Sequence, residues 1–475
     1  MRSAYKYILS VCFLLAVTKA SIAQDFSPLV KQFITINTDT FVLTHVTIVD
    51  GTGGPVKPDQ ALLVIKGKIA GIGNSATVNI PSTVRTIDCT GKTIIPGMIM
   101  MHEHMFYGES VPPQYLGLEM PVSFPRLYLA GGVTTMRTGG SVEAHTDLNI
   151  RDQIRDGKMP GPNIDVTAPY IERAALPIPE VLFIKSPEDA LRNMNYWIDN
   201  GVTSFKVYMD ITKADLAAVV KLAHEHKMKV TGHLCSITYR EAADIGIDNL
   251  EHGFWVSSDF DKNKKPDQCS NAQAASLRQL DEKSADMKDL MAHLVKKNVA
   301  ITSTLPVFEP YTGREAFPGD GGEALTAAIR EGIEKTAIAM ANRDSTNRSM
   351  FQKEMAWEKQ FVDMGGRLMA GIDPTGAGRV IPGYADRHIP ELLVEAGFSF
   401  PQAIKICSLN AAEYLGKSNE IGTIEPGKRA DMVLINGDPT KNVKDMRKTE
   451  IVFKNGVGFD SKKLFDSVKG KVGLY

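Results

Sequence analysis

Eight short apolar runs along the middle of the chain, most of them followed by helix-like text, constrain the fold more than any other feature. They are "TIIPGMIMMHEH", "GVTTMRTGG", "NIDVTAPYI", "SFKVYMD", "KVTGHLC", "NLEHGFW", "VAITSTLPVF" and "RLMAGIDPTG". Strands alternating with helices predict a parallel sheet, and eight such units predict an α/β chain folded as a (β/α)8 TIM-like barrel. At 475 residues the chain suits one large barrel with an accessory domain. "TFVLTHVTIVDG" and "ALLVIKGKIAGIG" near the start are β-rich and broken by glycine, and "GTIEPGKRADMVLING" and "EIVFKNG" near the end share that texture. They predict a small β-sandwich built from both chain ends, 24–95 with 417–475, around a barrel over 96–416. The stretch 310–348 follows the seventh run, and its length makes it a candidate cap over the mouth of the barrel.

The first residues, "MRSAYKYILSVCFLLAVTKASIAQ", read as a signal peptide over 1–23. Arg2 and Lys6 supply the basic start, Ile8 to Val17 the apolar run, and Ser21-Ile22-Ala23 the small residues before a cut at Gln24. The run is short for a membrane anchor. The mature protein is therefore expected to be exported, periplasmic or secreted, with no membrane insertion after the signal is removed. A net charge of −1, from 54 basic and 55 acidic residues, points to no nucleic-acid partner. Export permits disulfides. Cys89, Cys235, Cys269 and Cys407 lie far apart with no CxxC spacing, so mostly free, buried thiols are expected, with any pairing left open.

His-Glu-His occurs twice, and period separates the copies. The first, in "MHEHM", ends a strand-like run. On a strand, residues two apart share a face, so His102 and His104 point together and Glu103 points away. The second, in "TKADLAAVVKLAHEHKM", carries apolar residues at Leu216, Val219, Val220 and Ala223, which is helical spacing. Thr212 and Asp215 read as a capping pair. On a helix, positions two apart diverge by about 200°, so His224 and His226 cannot share a metal.

Other chemistry-bearing residues sit at strand ends. In "SFKVY", Ser204, Lys206 and Tyr208 share one face, which puts the Lys206 ammonium inside the barrel, an expensive place for a free cation. His233 ends "KVTGH", His252 ends "NLEH" and Asp373 ends "LMAGID". Singly, each reads equally as a core, loop or turn residue. Jointly, they stand at the face where barrel enzymes place their chemistry.

This joint pattern resembles the amidohydrolase superfamily of metal-dependent hydrolases. The similarity runs through "GKTIIPGMIMMHEH", "GVTTMRTGG", "SFKVY", "GH", "EHG", "GID" and the closing "SLNAAEYLG…IGTIEPGKRADMVLINGDP". Within the superfamily the chain is most similar to the imidazolonepropionase-like and Xaa-Pro dipeptidase-like (prolidase-type) amidohydrolases. The resemblance implies two divalent metal ions. His102, His104 and Asp373 would hold the more buried one, His233 and His252 the second, and Lys206, carboxylated by CO2, would bridge them. Nitrogen and oxygen donors suit zinc. It also implies attack by a bridging hydroxide on an amide carbonyl, with Asp373 as general acid and base and Tyr208 stabilising the oxyanion. The implied substrate is a small molecule or short peptide, a dipeptide or an N-acyl amino acid. Arg137, Tyr170, Arg173 and Tyr208 are candidates to hold its carboxylate. A cyclic amide, imide or lactone on the same metals is the alternative, ahead of one-metal deamination and of a non-catalytic metal-binding barrel. Met100 and Arg137-Thr138 depart from the family's usual acidic residue and Arg-Asp pair. Homo-oligomers are common among such barrels, and the sequence does not determine the oligomeric state.

Overall fold

A computed structural model describes residues 25–473, apart from 112–113, 174–175, 315–316, 318, 342–344 and 377–378. The expected signal peptide lies outside the described residues. Eight parallel strands form the centre: β1 (Met98–Glu103), β2 (Val133–Thr138), β3 (Asn163–Asp165), β4 (Ser204–Val207), β5 (Lys229–Gly232), β6 (Asn249–Glu251), β7 (Ala300–Ser303) and β8 (Leu368–Ala370). β1, β2 and β3 pair in that order, and β4 to β8 pair in sequence order. Backbone hydrogen bonds join these groups at both edges. Ala168 N donates to Ser204 O at 3.0 Å beyond β3, and Asp373 N donates to His102 O at 3.0 Å between the ends of β8 and β1. Every residue of β1 is buried, because one face meets the interior and the other meets the helices.

The helices between strands follow their local signals. In the helix Lys213–Glu225, Thr212 and Asp215 form a capping box, and Leu216, Val219, Val220 and Ala223 make the buried face. His224 bonds Asp248 at 2.9 Å on the surface, and His226 caps the helix C-terminus. The second His-Glu-His is thus remote from any shared ligand position.

Both chain ends meet in one nine-stranded mixed sheet. The N-terminal strand Thr93–Pro96 pairs antiparallel with Met432–Ile435, and Ile34–Ile36 pairs with Val457–Asp460. This sheet has its own buried cluster, including Phe41, Leu43, Ile94, Met432 and Phe453.

The text after β1 folds back as a hairpin, Phe106–Val111 with Gln114–Glu119, to which the strand–helix alternation assigns no element. Within the stretch 310–348, the candidate cap, Thr326 N donates to Val472 O at 2.9 Å, and Glu323 O accepts from Gly470 N at 3.0 Å. The cysteines are not mostly free. Cys235 and Cys269 form a disulfide, with Cα atoms 4.8 Å apart, because the long excursion after β6 folds back over the end of β5. Cys89 and Cys407 are buried free thiols.

Candidate metal centre

The ends of β1, β4, β5, β6 and β8 bring six sequence-selected side chains to one cavity of about 390 Å³. His102 and His104 leave β1 together. His102 Nε2 is 3.4 Å from Asp373 Oδ1, and His104 Nε2 is 3.2 Å from the same oxygen. His252 packs against both neighbouring imidazoles, with ring centroids 4.6 Å from His102 and 4.5 Å from His233. Lys206 is buried and lines the same cavity. Glu103 turns away, and its Oε1 accepts from Ile372 N at 3.2 Å.

Local backbone geometry sets these directions. His252 and Asp373 both adopt left-handed conformations, with φ of 71° and 54°. That region is costly for residues with a Cβ, and such strain concentrates at functional sites. Gly139 and Gly371 are needed for space. A Cβ on Gly139 would lie 2.5 Å from the His102 ring, and one on Gly371 would lie 2.5 Å from His102 Cβ.

Electrostatics favour the neutral, ligand-ready form at three of the four histidines; at His102 burial disfavours the imidazolium, but Glu251 and then Asp373 outweigh it and raise the pKa. Burial lowers the pKa of His104, drives that of His252 well below the ordinary imidazole value, and pushes His233 down to about 3, with Lys206 adding to the last effect. Metal binding needs neutral imidazole. Burial opposes ionisation of Asp373, but the surrounding histidines outweigh it and hold the carboxyl well below its usual range. Burial brings the Lys206 ammonium down to about 8 against the pull of Glu251.

The residues fit a cation. His104 Nδ1–H donates to Gly140 O at 2.9 Å, so a neutral His104 turns a lone pair at Nε2 towards the Asp373 carboxylate. Two acceptors facing each other at 3.2 Å repel unless a cation lies between them. Donor atoms of His102, His252 and Asp373 also lie within 4.8 Å of one another.

Beneath the cavity lies a layer that sequence reasoning missed. Glu251, the last residue of β6, approaches His102 Nδ1 at 2.8 Å, and its other oxygen accepts from Arg137 at 2.6 Å and Asn249 at 3.0 Å. Thr231 also donates to it. Thr304 Oγ1 is 2.9 Å from His252 Nδ1. The signal for Glu251 was available: period two from Asn249 turns it into the barrel interior, beside His252 in "EHG".

Two substrate candidates require correction. Arg137 is 1% exposed and belongs to the layer below, where Glu251 neutralises it. Arg173 faces outward and forms a two-pronged pair with Asp215 at 2.7 and 2.9 Å. Neither lines the cavity. Tyr170 and Tyr208 do, with ring centroids 5.1 Å apart.

The amidohydrolase family model matches residues 93–459. The chain belongs to that family. This places it among metal-dependent hydrolases that act on carbon–nitrogen bonds. An enamidase from Eubacterium barkeri is 26% identical to this amidohydrolase over 209 residues, covering 41% of this chain and 50% of the enamidase. The match thus spans about half of that relative's length. Among solved structures, a putative prolidase from Bifidobacterium longum aligns with a TM-score of 0.64 at 23% identity, over 90% of this chain and 99% of that one. A Xaa-Pro dipeptidase aligns with a TM-score of 0.66 at 17% identity, over 89% and 100%. These structural likenesses concern the fold, and support a TIM-like barrel.

Proposed function

We propose that this amidohydrolase is an exported enzyme that hydrolyses the C–N bond of an amide in a small molecule. The reading takes the chain as a (β/α)8 barrel with a β-sandwich closed by both chain ends. The carrying observation is the convergence of His102 and His104 Nε2 on one oxygen of Asp373, in a cavity shared with Lys206, His233 and His252.

In the proposed site, His102, His104 and Asp373 would hold one divalent ion and His233 and His252 a second, with Lys206, as a carbamate, completing the ligand set. The Lys206 ammonium loses one proton, the neutral amine adds to CO2 with formation of an N–C bond, and a second proton leaves, turning a buried cation into an anion. Zinc fits the donors, and the bound ions would supply Lewis acidity and an activated water. Asp373 would serve as general base and then general acid, holding the proton on its carboxylate until the leaving amine nitrogen takes it. Tyr208 lines the cavity and stays protonated, because burial raises its pKa, so its hydroxyl would be a donor to the carbonyl oxygen.

The Cys235–Cys269 disulfide supports export, since such bonds persist in oxidising compartments. No helix among the described residues is long and apolar enough to cross a membrane. Of the four candidates to hold the carboxylate of a dipeptide or N-acyl amino acid, Arg137 and Arg173 do not reach the cavity, and Tyr170 and Tyr208, which line it, carry no charge to pair with it.

The test combines metal analysis with a screen of dipeptides, N-acyl amino acids, simple amides and lactones on zinc-loaded protein. About two ions per chain are expected, reduced in Lys206→Ala. Asp373→Asn should abolish amide turnover. Full turnover in that variant, or no bound metal in the wild type, overturns the proposal.

A further inference from the structure

We infer that the substrate is an uncharged amide carrying apolar or aromatic groups, with no free carboxylate. This rests on the amide-hydrolase reading above and narrows it. Phe106, Val142, Tyr170 and Val181 form a buried apolar cluster, with Ile178 and Tyr208 packed against it. All six line the cavity as one wall. Val256, Val307 and Phe308 line it as well. Phe308 is braced from behind by Trp255, stacked at 4.4 Å and 14°.

The polar groups are unevenly placed. The candidate metal donors gather at one end. Tyr115 lines the cavity but is already committed as a donor to Thr375 O. Among the described lining residues, Lys206 is the single lysine or arginine, and it sits among the donors with Glu251 at 4.0 Å. Arg379, in the loop after β8, lies near Tyr311 and Tyr107 and is not part of the lining. A substrate carboxylate held among these apolar side chains would lose its water and meet no lysine or arginine of the described lining beyond Lys206, an unfavourable exchange for a charge. An aromatic or branched apolar group would instead replace water against Phe106, Val181 and Phe308.

The test uses a matched pair on zinc-loaded, full mature protein: N-phenylacetyl-2-phenylethylamine and N-phenylacetyl-L-phenylalanine, which differ by the carboxylate alone. Amine release gives kcat/KM. Binding is read separately with the two ketone analogues in which CH2 replaces the amide N–H, using the fluorescence of Trp255 behind Phe308. The neutral member of each pair should be favoured by about 100-fold or more. Ile178→Arg places a cation on the wall and should narrow that ratio at least about tenfold. Equal or better cleavage or binding of the carboxylate member overturns the inference, and loss of that preference in Arg379→Gln would identify Arg379 as the cation responsible. Failure of both ketones to bind at millimolar concentration also overturns it. If the neutral ketone binds with the stated preference while neither amide is cleaved, the inference stands and the amide-hydrolase reading falls.

Discussion

Glu251 Oε2 lies 2.8 Å from Nδ1 of His102, and its partner oxygen meets Arg137 at 2.6 Å. One buried carboxylate thus orients a candidate metal ligand and neutralises a buried guanidinium. Burial works against its charge, but Arg137, Lys206 and His102 outweigh that and hold its pKa well below the usual range. Carboxylates behind ligand histidines fix ring orientation and raise basicity. Glu251→Gln should therefore weaken metal binding by about 10- to 100-fold, read by chelator competition. It should also cost about 3 kcal/mol in urea unfolding, because Arg137 is left buried without its counter-charge. Unchanged metal affinity would remove Glu251 from the site.

Space next to His102 gives a second prediction. An added Cβ at Gly139 would press on Cδ2 and Nε2 of the ring at 2.5 and 2.7 Å, so the imidazole must shift. Displacement of about 1 Å at a reacting centre costs on the order of 100-fold in rate. Gly139→Ala should lower kcat/KM by about that factor. Gly332→Ala serves as the control: the residue lies in the helix Ala327–Ala341, an added Cβ there would meet nothing within 4 Å, and the change should add about 0.5–1 kcal/mol of stability. Equal activity in the two variants would show that the packing against His102 is not limiting.

The Cys235–Cys269 bond closes a loop across a sequence separation of 34. Closure of that length restricts the unfolded chain by about 3–4 kcal/mol. Reductant should therefore lower the melting temperature of the wild type. Cys235→Ser/Cys269→Ser should melt like the reduced wild type and ignore reductant. A double variant as stable as the oxidised protein would contradict this.

Sequence legibility followed the range of the causes. His102 and His104 were readable because strand period alone turns them together, and the same rule separated them from His224 and His226. Lys206 was readable as a cation placed where a cation is costly. Arg137 and Arg173 were misplaced because residue type does not reveal depth. Their partners, Glu251 and Asp215, lie 114 and 42 residues away and meet them only in the fold. The hairpin 106–119 was hidden because it is inserted in the loop after β1, where the alternating strand–helix pattern makes no prediction. The disulfide was hidden because its cysteines meet through the excursion after β6.

The last prediction lies away from the metal site. His388 is 4% exposed, with Nε2 at 2.7 Å from Glu309 Oε2 and Nδ1 at 3.0 Å from Glu391 Oε2. Arg447 joins the cluster by pairing with Glu391 at 2.7 and 2.8 Å, and its Nη2 lies 3.2 Å from His388 Nδ1. Burial disfavours the imidazolium, but hydrogen bonds to Glu309 and then Glu391 outweigh it and raise the pKa from 6.5 to about 9. A histidine whose pKa is raised on folding stabilises the protein fully below its unfolded value. That contribution fades as pH climbs through the folded value. The window is therefore pH 6.5 to about 9, and the amount at stake is on the order of 3 kcal/mol. Urea unfolding of the wild type and His388→Gln at pH 6, 8 and 10 should show the wild-type advantage largest at pH 6, smaller at pH 8 and smallest at pH 10. A difference that stays constant, or grows with pH, would mean that His388 is not held as an imidazolium between the two glutamates.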